Sequence, residues 1–307
     1  MLRYAVRRLL GAIPTLFVII TLAFFLMRVA PGGPFDQERT LEPTVMANLN
    51  KAFHLDRPLY EQYAVYLGNL LRGDLGPSFV YRDFSVGELL GAGLPISMLL
   101  GACALLLALL VGGTLGIIAA LKQNSTVDYL VIAVATFGIT VPNFVVAPVL
   151  SLVFGVWLGI LPAGGWEGAH PAYMLLPVIT LALPQIAIVA RLIRGAMLEA
   201  LRSDHVRTAR AYGLPARLVV IVHSLRGAAL PVISYLGPAA AALLTGSVVV
   251  ETIFGIPGIG RYFVQGALNR DYTLVMGTVV IVAVFVVLFN LAVDLLYAAI
   301  DPRVRYD

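Results

Sequence analysis

Six stretches of this chain contain no Asp, Glu, Lys or Arg: residues 9–27, 89–121, 129–166, 168–190, 227–250 and 272–293. No other feature constrains its folding as strongly. A helix needs roughly 20 apolar residues to cross about 30 Å of hydrocarbon, and each window is long enough for one crossing. Inside lipid every backbone polar group must be satisfied internally, so windows of this kind read as transmembrane helices. Residues 89–121 and 129–166 are longer than one crossing requires. Their Gly/Pro-rich portions, Gly91, Gly93 and Pro95 in the first and Leu161-Pro162-Ala163-Gly164-Gly165 in the second, read as loops. Six spans are therefore predicted. Composition agrees: 12% of the residues are charged, against about 25% in soluble domains.

An even number of spans puts both termini on one side. Lys and Arg concentrate on cytoplasmic segments. With the N-terminus inside, the inner segments hold Arg3, Arg7, Arg8, Lys122, seven arginines between Arg191 and Arg226, and Arg303 and Arg305. The short outer loops then hold only Arg261 and Arg270. The loop 30–94 holds five more basic residues, but loops of that length are exempt from the rule. Both termini are expected in the cytoplasm.

The basic start and apolar run of residues 1–29 predict a retained first helix rather than a cleaved signal, because the run ends in Arg28 and further spans follow. Pro31, Gly32, Gly33 and Pro34 stop it. In the outer loop, Pro43 suits the first turn of a helix through Phe53. Pro58 opens a second, with Leu59, Tyr63, Tyr66, Leu67 and Leu70 at helical spacing. The two helices cap a pore mouth, dock a partner, or form a self-packed lid. The third span contains Thr140-Val141-Pro142-Asn143, and Pro184-Gln185 repeats the arrangement in the fourth. Proline in a membrane helix frees a carbonyl, which is tolerated where neighbours or a water-filled cavity satisfy it. Asn143 and Gln185 either line a polar path or hydrogen-bond across a helix contact.

The most basic stretch is SDHVRTARAYGLPARLVVIVHSLRGAALP, from Ser203 to Pro231. Arg207, Arg210, Arg217 and Arg226, with Arg202 just ahead, face one carboxylate, Asp204. Ser203 is placed to cap a helix from Asp204 to Tyr212, and Asp204 suits its positive N-terminal end. Gly213 fits a left-handed stop and Pro215 opens the next helix. A helix, a glycine turn and a second helix at the membrane surface need a partner in water. Lipid phosphate is the alternative contact for the arginines, Arg191 and Arg194 above all. Further on, Gly255, Pro257, Gly258 and Gly260 make a compact outer turn. It is no nucleotide fingerprint, because no strand precedes it.

Covalent chemistry has little to work with. A P-loop needs Gly-Lys-Ser/Thr, and the two lysines, Lys51 and Lys122, follow Asn50 and Leu121. The histidines His54, His170, His205 and His223 lack metal-ligand spacing, and the single cysteine, Cys103, excludes an internal disulfide. No Gly-x-Ser-x-Gly elbow is present. An ion-driven carrier would be expected to have intramembrane acids or inverted repeats. Asp294 alone does not suffice, and a lone aspartate near a helix end reads as the partner of an arginine or a backbone group. An intramembrane hydrolase would need a nucleophile and base paired at membrane depth. No cofactor, metal or nucleic acid is expected on this chain.

With these pieces in order, the chain resembles bacterial ABC importer permease subunits of the peptide/nickel family, and within it the oligopeptide subgroup. The resemblance runs through RRLLGAIPTLFVIITLAFFLMRVAPGGP, HLDRPLYEQY, LLRGDLGPS, VPNFVVAPVL, RTARAYGL, ETIFGIPGIG, GALNRDYTLV and DPRVRY. The family's cytoplasmic motif is Glu-Ala-Ala followed after three residues by Gly. Gly213 sets the register, placing Arg207 on the Glu position and Thr208 and Ala209 on the two Ala positions; Tyr212 replaces the subgroup's usual lysine. The resemblance implies an all-α polytopic membrane protein of six transmembrane helices with a type I binding-protein-dependent importer core. It implies an N-terminal helix and extracytoplasmic helical loop over 1–94, and a five-helix core over 95–301 with a coupling helix at about 204–213. Asp204, Arg207, Thr208, Ala209, Arg210 and Gly213 would then meet a separate ATPase. The implied partners are a second homologous permease, two cytoplasmic ATPase subunits carrying ATP and Mg, an extracytoplasmic peptide-binding protein, and membrane lipid. Dipeptides and nickel chelates are the alternative substrates.

Overall fold

The computed structural model describes residues 2–29, 42–52, 54–81, 83–244 and 247–300. Helix α1 (Leu2–Val29) is followed by the short helices α2 (Pro43–Ala52) and α3 (Leu59–Leu71). A tight turn joins α4 (Val86–Leu121) to α5 (Thr126–Thr140), and α6 (Asn143–Leu150) ends in a widened π-helical segment, Ser151–Trp157. Next come α7 (Pro171–Arg202) and the eight-residue α8 (Asp204–Ala211). A broken helix made of α9 (Ala216–Leu218), a π segment (Val219–Ser224) and α10 (Leu225–Ala228) then runs into α11 (Leu230–Leu244). Finally α12 (Val248–Phe254) and α13 (Ile259–Leu268) precede α14 (Tyr272–Ile300). Among the described residues, four helices are long and apolar enough to span a membrane, and the number rises to six where each of two bent pairs counts as one span.

Prolines behave as expected at three helix starts. α2 begins at Pro43, Pro58 precedes α3, and Pro215 precedes α9. The break at Val141-Pro142 is real: the two halves of residues 126–157 are bent by 100°. Two expectations are corrected. Pro184 does not break its span, for α7 continues through Pro177 and Pro184, packed along its length against α4 and flanked by α5 and α11. Gly91, Gly93 and Pro95 are helical, not a loop. Ser85 and Glu88 start α4 early by reciprocal capping: the Ser85 hydroxyl accepts from the Glu88 amide at 3.2 Å, and the Glu88 carboxylate accepts from the Ser85 amide at 2.8 Å. The expected stop at residues 31–34, Phe53, and the tail Asp301-Pro302-Arg303 lie outside the described residues.

The core is a seam of small residues. On α4, Gly101, Ala104, Ala108, Gly112, Gly116 and Ala120 recur every three or four residues and are buried. A Cβ on Gly112 would lie 2.6 Å from the Ile186 carbonyl oxygen, and one on Gly116 2.6 Å from that of Ala190. In lipid no hydrophobic force drives helices together, so close backbone approach supplies the packing.

Each end of the bundle is tied. At one, Arg8 pairs with Asp294 at 2.7 Å, joining α1 to α14, the arginine partner expected for that aspartate. At the other, buried Asp271 accepts from Ser78 Oγ (2.5 Å) and from the amides of Phe79, Val80 and Leu274 (3.1, 3.2 and 3.1 Å). That carboxylate caps α14 and holds the loop before α4. Beside it α3 packs on α1, with Tyr63 and Tyr66 ring centroids 5.2 and 5.7 Å from Phe24.

Candidate functional site

Helix α8 leaves the end of α7 after one residue. Ser203 stands between them, but its hydroxyl donates back to the Ala200 carbonyl (2.5 Å) and makes no cap for α8. It therefore stiffens the joint with α7 instead of closing the new helix. Val206 and Ala209, three residues apart, are buried against Val219 and Leu214. Gly213 adopts φ +72°, a conformation that strains residues with a Cβ, and the chain turns back so that the Leu214 amide reaches the Ala209 carbonyl at 3.3 Å. His205 Nε2 lies 3.1 Å from the His223 carbonyl oxygen. The short helix is thus fastened to its own chain along one face.

The opposite face is free. Asp204, Arg207, Thr208, Arg210 and Tyr212 are exposed. Arg207 Nη1 meets Asp204 at 3.2 Å, an exposed pair that contributes little to stability. Of the residues expected at a partner, Ala209 points inward and sets the seat of the helix, while Gly213 shapes the turn. Asp204, Arg207, Thr208 and Arg210 form the presented surface.

Behind this surface lies an ion pair absent from the sequence reading. Arg194 Nε and Nη2 meet Asp128 Oδ1 and Oδ2 at 2.5 and 2.8 Å, and the Asp128 side chain is 1% exposed. The expectation that Arg194 anchors to lipid is corrected: a carboxylate in the first turn of α5 takes two of its three guanidinium nitrogens. Asp128 also accepts from the Asn124 amide at 2.9 Å, and Arg202 donates to Gln123 at 3.2 Å. The turn between α4 and α5 is therefore fixed to α7 just above α8. Asp128 follows the turn KQNST, and that placement was its only signal. Arg191 is exposed.

The two residues proposed for a polar path lie apart in their bonding. Asn143 stands at the bend after Pro142, and its side-chain oxygen is buried without a partner among the described residues. Gln185 is half-buried and accepts from the Tyr235 hydroxyl across the α7–α11 contact. No hydrogen bond joins them.

A third polar centre was missed. Glu251, 1% exposed, accepts from Ser97 Oγ of α4 (2.6 Å) and from the amides of Gly260 (2.8 Å) and Arg261 (3.3 Å) at the start of α13. Burial pushes its carboxyl above the usual range, and these donors pull the other way. Gly258 and Gly260 leave no space for a Cβ beside the Glu251 carboxylate. The segment ETIFGIPGIG is therefore a closed helix–turn–helix locked to α4 rather than an open loop. Among the described residues, no cluster of His, Cys, Asp and Glu has the form of a metal site.

Comparison with known proteins fits this architecture. Residues 112–306 match the model of binding-protein-dependent transport system inner membrane components, and residues 1–80 match the corresponding N-terminal model. The oligopeptide transport system permease protein OppB of Haemophilus influenzae is 51% identical over 306 residues, covering all of both chains. OppB of Escherichia coli is 52% identical, again over the whole of both. The dipeptide transport system permease protein DppB of Bacillus subtilis is 43% identical over 99% of this chain and 98% of its own. A chain of the inward-facing MetNI methionine ABC transporter superposes with a TM-score of 0.57 over 70% of this chain and 97% of its own, at 17% identity. With its helical fold shared and its length matched throughout, the chain belongs to the family of binding-protein-dependent transport system inner membrane components.

Proposed function

We propose that this chain is one of two homologous permease subunits of an ATP-driven oligopeptide importer, and that α8 is where it receives force from a separate ATPase. The single observation behind this reading is the shape of α8. It is a helix seated on its own chain by Val206 and Ala209, with an arginine-bearing face left open and a one-residue joint to α7. A seated helix moves as a body with α7. The open arginines steer a carboxylate-bearing groove towards it. ATP and Mg would be bound by two such cytoplasmic ATPases and not by this chain. Oligopeptides are favoured over dipeptides or nickel chelates because the full-length relatives above 50% identity carry that name.

Closure of the ATPases would shift the spans between inward- and outward-facing states, a change in populations driven by differential binding. The bends at 141–142 and between α10 and α11 are the compliant points. A peptide-binding protein outside the membrane would deliver substrate to the end carrying α3 and α13. The test is charge reversal, Arg207→Glu together with Arg210→Glu, in the assembled transporter. Transport should be lost while the chain still inserts in the membrane. Transport with normal ATP turnover in that variant would refute the docking surface. Ligand binding to the cognate binding protein decides the substrate class.

A further inference from the structure

At the end of the bundle opposite α8, a cavity of about 270 Å³ opens between α1, α3 and the start of α14. Its charged and aromatic lining includes Phe24, Arg28, Arg57, Tyr66, Asp74 and Tyr272. Arg28 is its centre. The guanidinium carbon sits 5.0 Å from the Phe24 ring centroid and 5.6 Å from that of Tyr272. Nη1 donates to Gln62. Among the described residues, Nε is buried with no partner, as is the Tyr66 hydroxyl. Burial pushes the Tyr66 phenol up to about 12, so it remains a hydrogen-bond donor at neutral pH. Two buried donors without acceptors, one of them on a cation, are expensive to leave unmet.

Depth in the membrane narrows what can meet them. Arg8 and Arg28 are twenty residues apart on one helix, about 30 Å along its axis, which equals the hydrocarbon thickness. Asp294 and Tyr272, their neighbours on α14, are spaced in the same way. If the Arg8 pair lies at one headgroup layer, Arg28 lies at the other. Beside it, Leu22, Leu26 and Val29 of α1 are exposed, a surface on which acyl chains can lie.

We infer that this cavity binds the phosphate diester of a phospholipid headgroup, with Arg28 and Tyr66 donating to the phosphate and the acyl chains running along α1. Guanidinium against phosphate is a strong, geometrically suited pairing. The aromatic rings beside it suit the boundary between acyl chain and water.

The test is lipid retention by the delipidated, assembled transporter, followed by native mass spectrometry on adding back phosphatidylethanolamine or phosphatidylglycerol. The wild type should hold one lipid tightly. Arg28→Gln should weaken that binding roughly tenfold or more, and Tyr66→Phe, which preserves shape and fold, roughly fivefold. Arg72→Gln, at the end of α3 but off the cavity, should leave it unchanged. Equal lipid affinity in wild type, Arg28→Gln and Tyr66→Phe would overturn the inference. So would full displacement of the lipid by millimolar inorganic phosphate, which would assign the cavity to a free anion. Loss of binding-protein docking in Tyr66→Phe with lipid retention intact would assign it to a protein carboxylate instead, and would also overturn it.

Discussion

Two aspartates, each bonded to one arginine, separate structural from incidental charge. Asp128 is buried and its pair with Arg194 is bidentate; Asp294 and Arg8 are both partly exposed. Removing Asp128 leaves Arg194, a quarter exposed, without its bidentate acceptor, which costs about 1–3 kcal/mol, whereas exposed pairs contribute less than about 1 kcal/mol. Asp128→Ala should therefore lower the melting temperature of the purified transporter sharply, and Asp294→Ala only slightly. Equal losses in the two variants would mean that burial does not set the worth of these pairs. The sequence did not distinguish them. Both are single acids near an end of an uncharged window, and only the fold reveals which one meets an arginine 66 residues away.

At the scale of elements, the α4–α7 seam is the largest commitment of the fold. Gly112 and Gly116 face carbonyl oxygens of α7 with no space for a side chain, while Gly113, between them, has nothing within 4 Å of its would-be Cβ. Gly112→Val or Gly116→Val should each destabilise the protein by about 1–3 kcal/mol through overpacking. Gly113→Val should be near neutral, as thermal melting in detergent would show. Equal losses at all three positions would refute the packing argument, because valine is a better helix former than glycine and propensity alone would not destabilise any of them. The sequence reading did not single out the small residues of α4, because nothing local to that helix says which neighbour they face. The start of α4 was misread because Gly and Pro are loop formers in water. In lipid, with a capping box at Ser85 and a neighbour against Gly93, they remain helical.

For the whole molecule, the arginine distribution predicts that α8 and α3 lie on opposite sides of the membrane. In a Cys103→Ala background, Arg72→Cys should react with an impermeant maleimide in intact spheroplasts. Tyr212→Cys should react only after permeabilisation. Both positions are exposed, so labelling of both from one side would exclude the six-span arrangement. The resemblance to MetNI concerns the fold; the direction of insertion rests on charge.

Membrane residence, the break at Pro142 and the helix–glycine–helix at 204–215 followed from the sequence alone. Each depends on local rules: apolar length, proline's missing donor and a glycine-compatible turn. Tertiary structure alone decided the continuity of α7 through Pro184, the inward seat of Ala209, the pairing of Asp128 with Arg194 and the Glu251 lock between α4 and α13. These depend on what a distant segment brings within about 3 Å of a polar atom, and no local pattern encodes that.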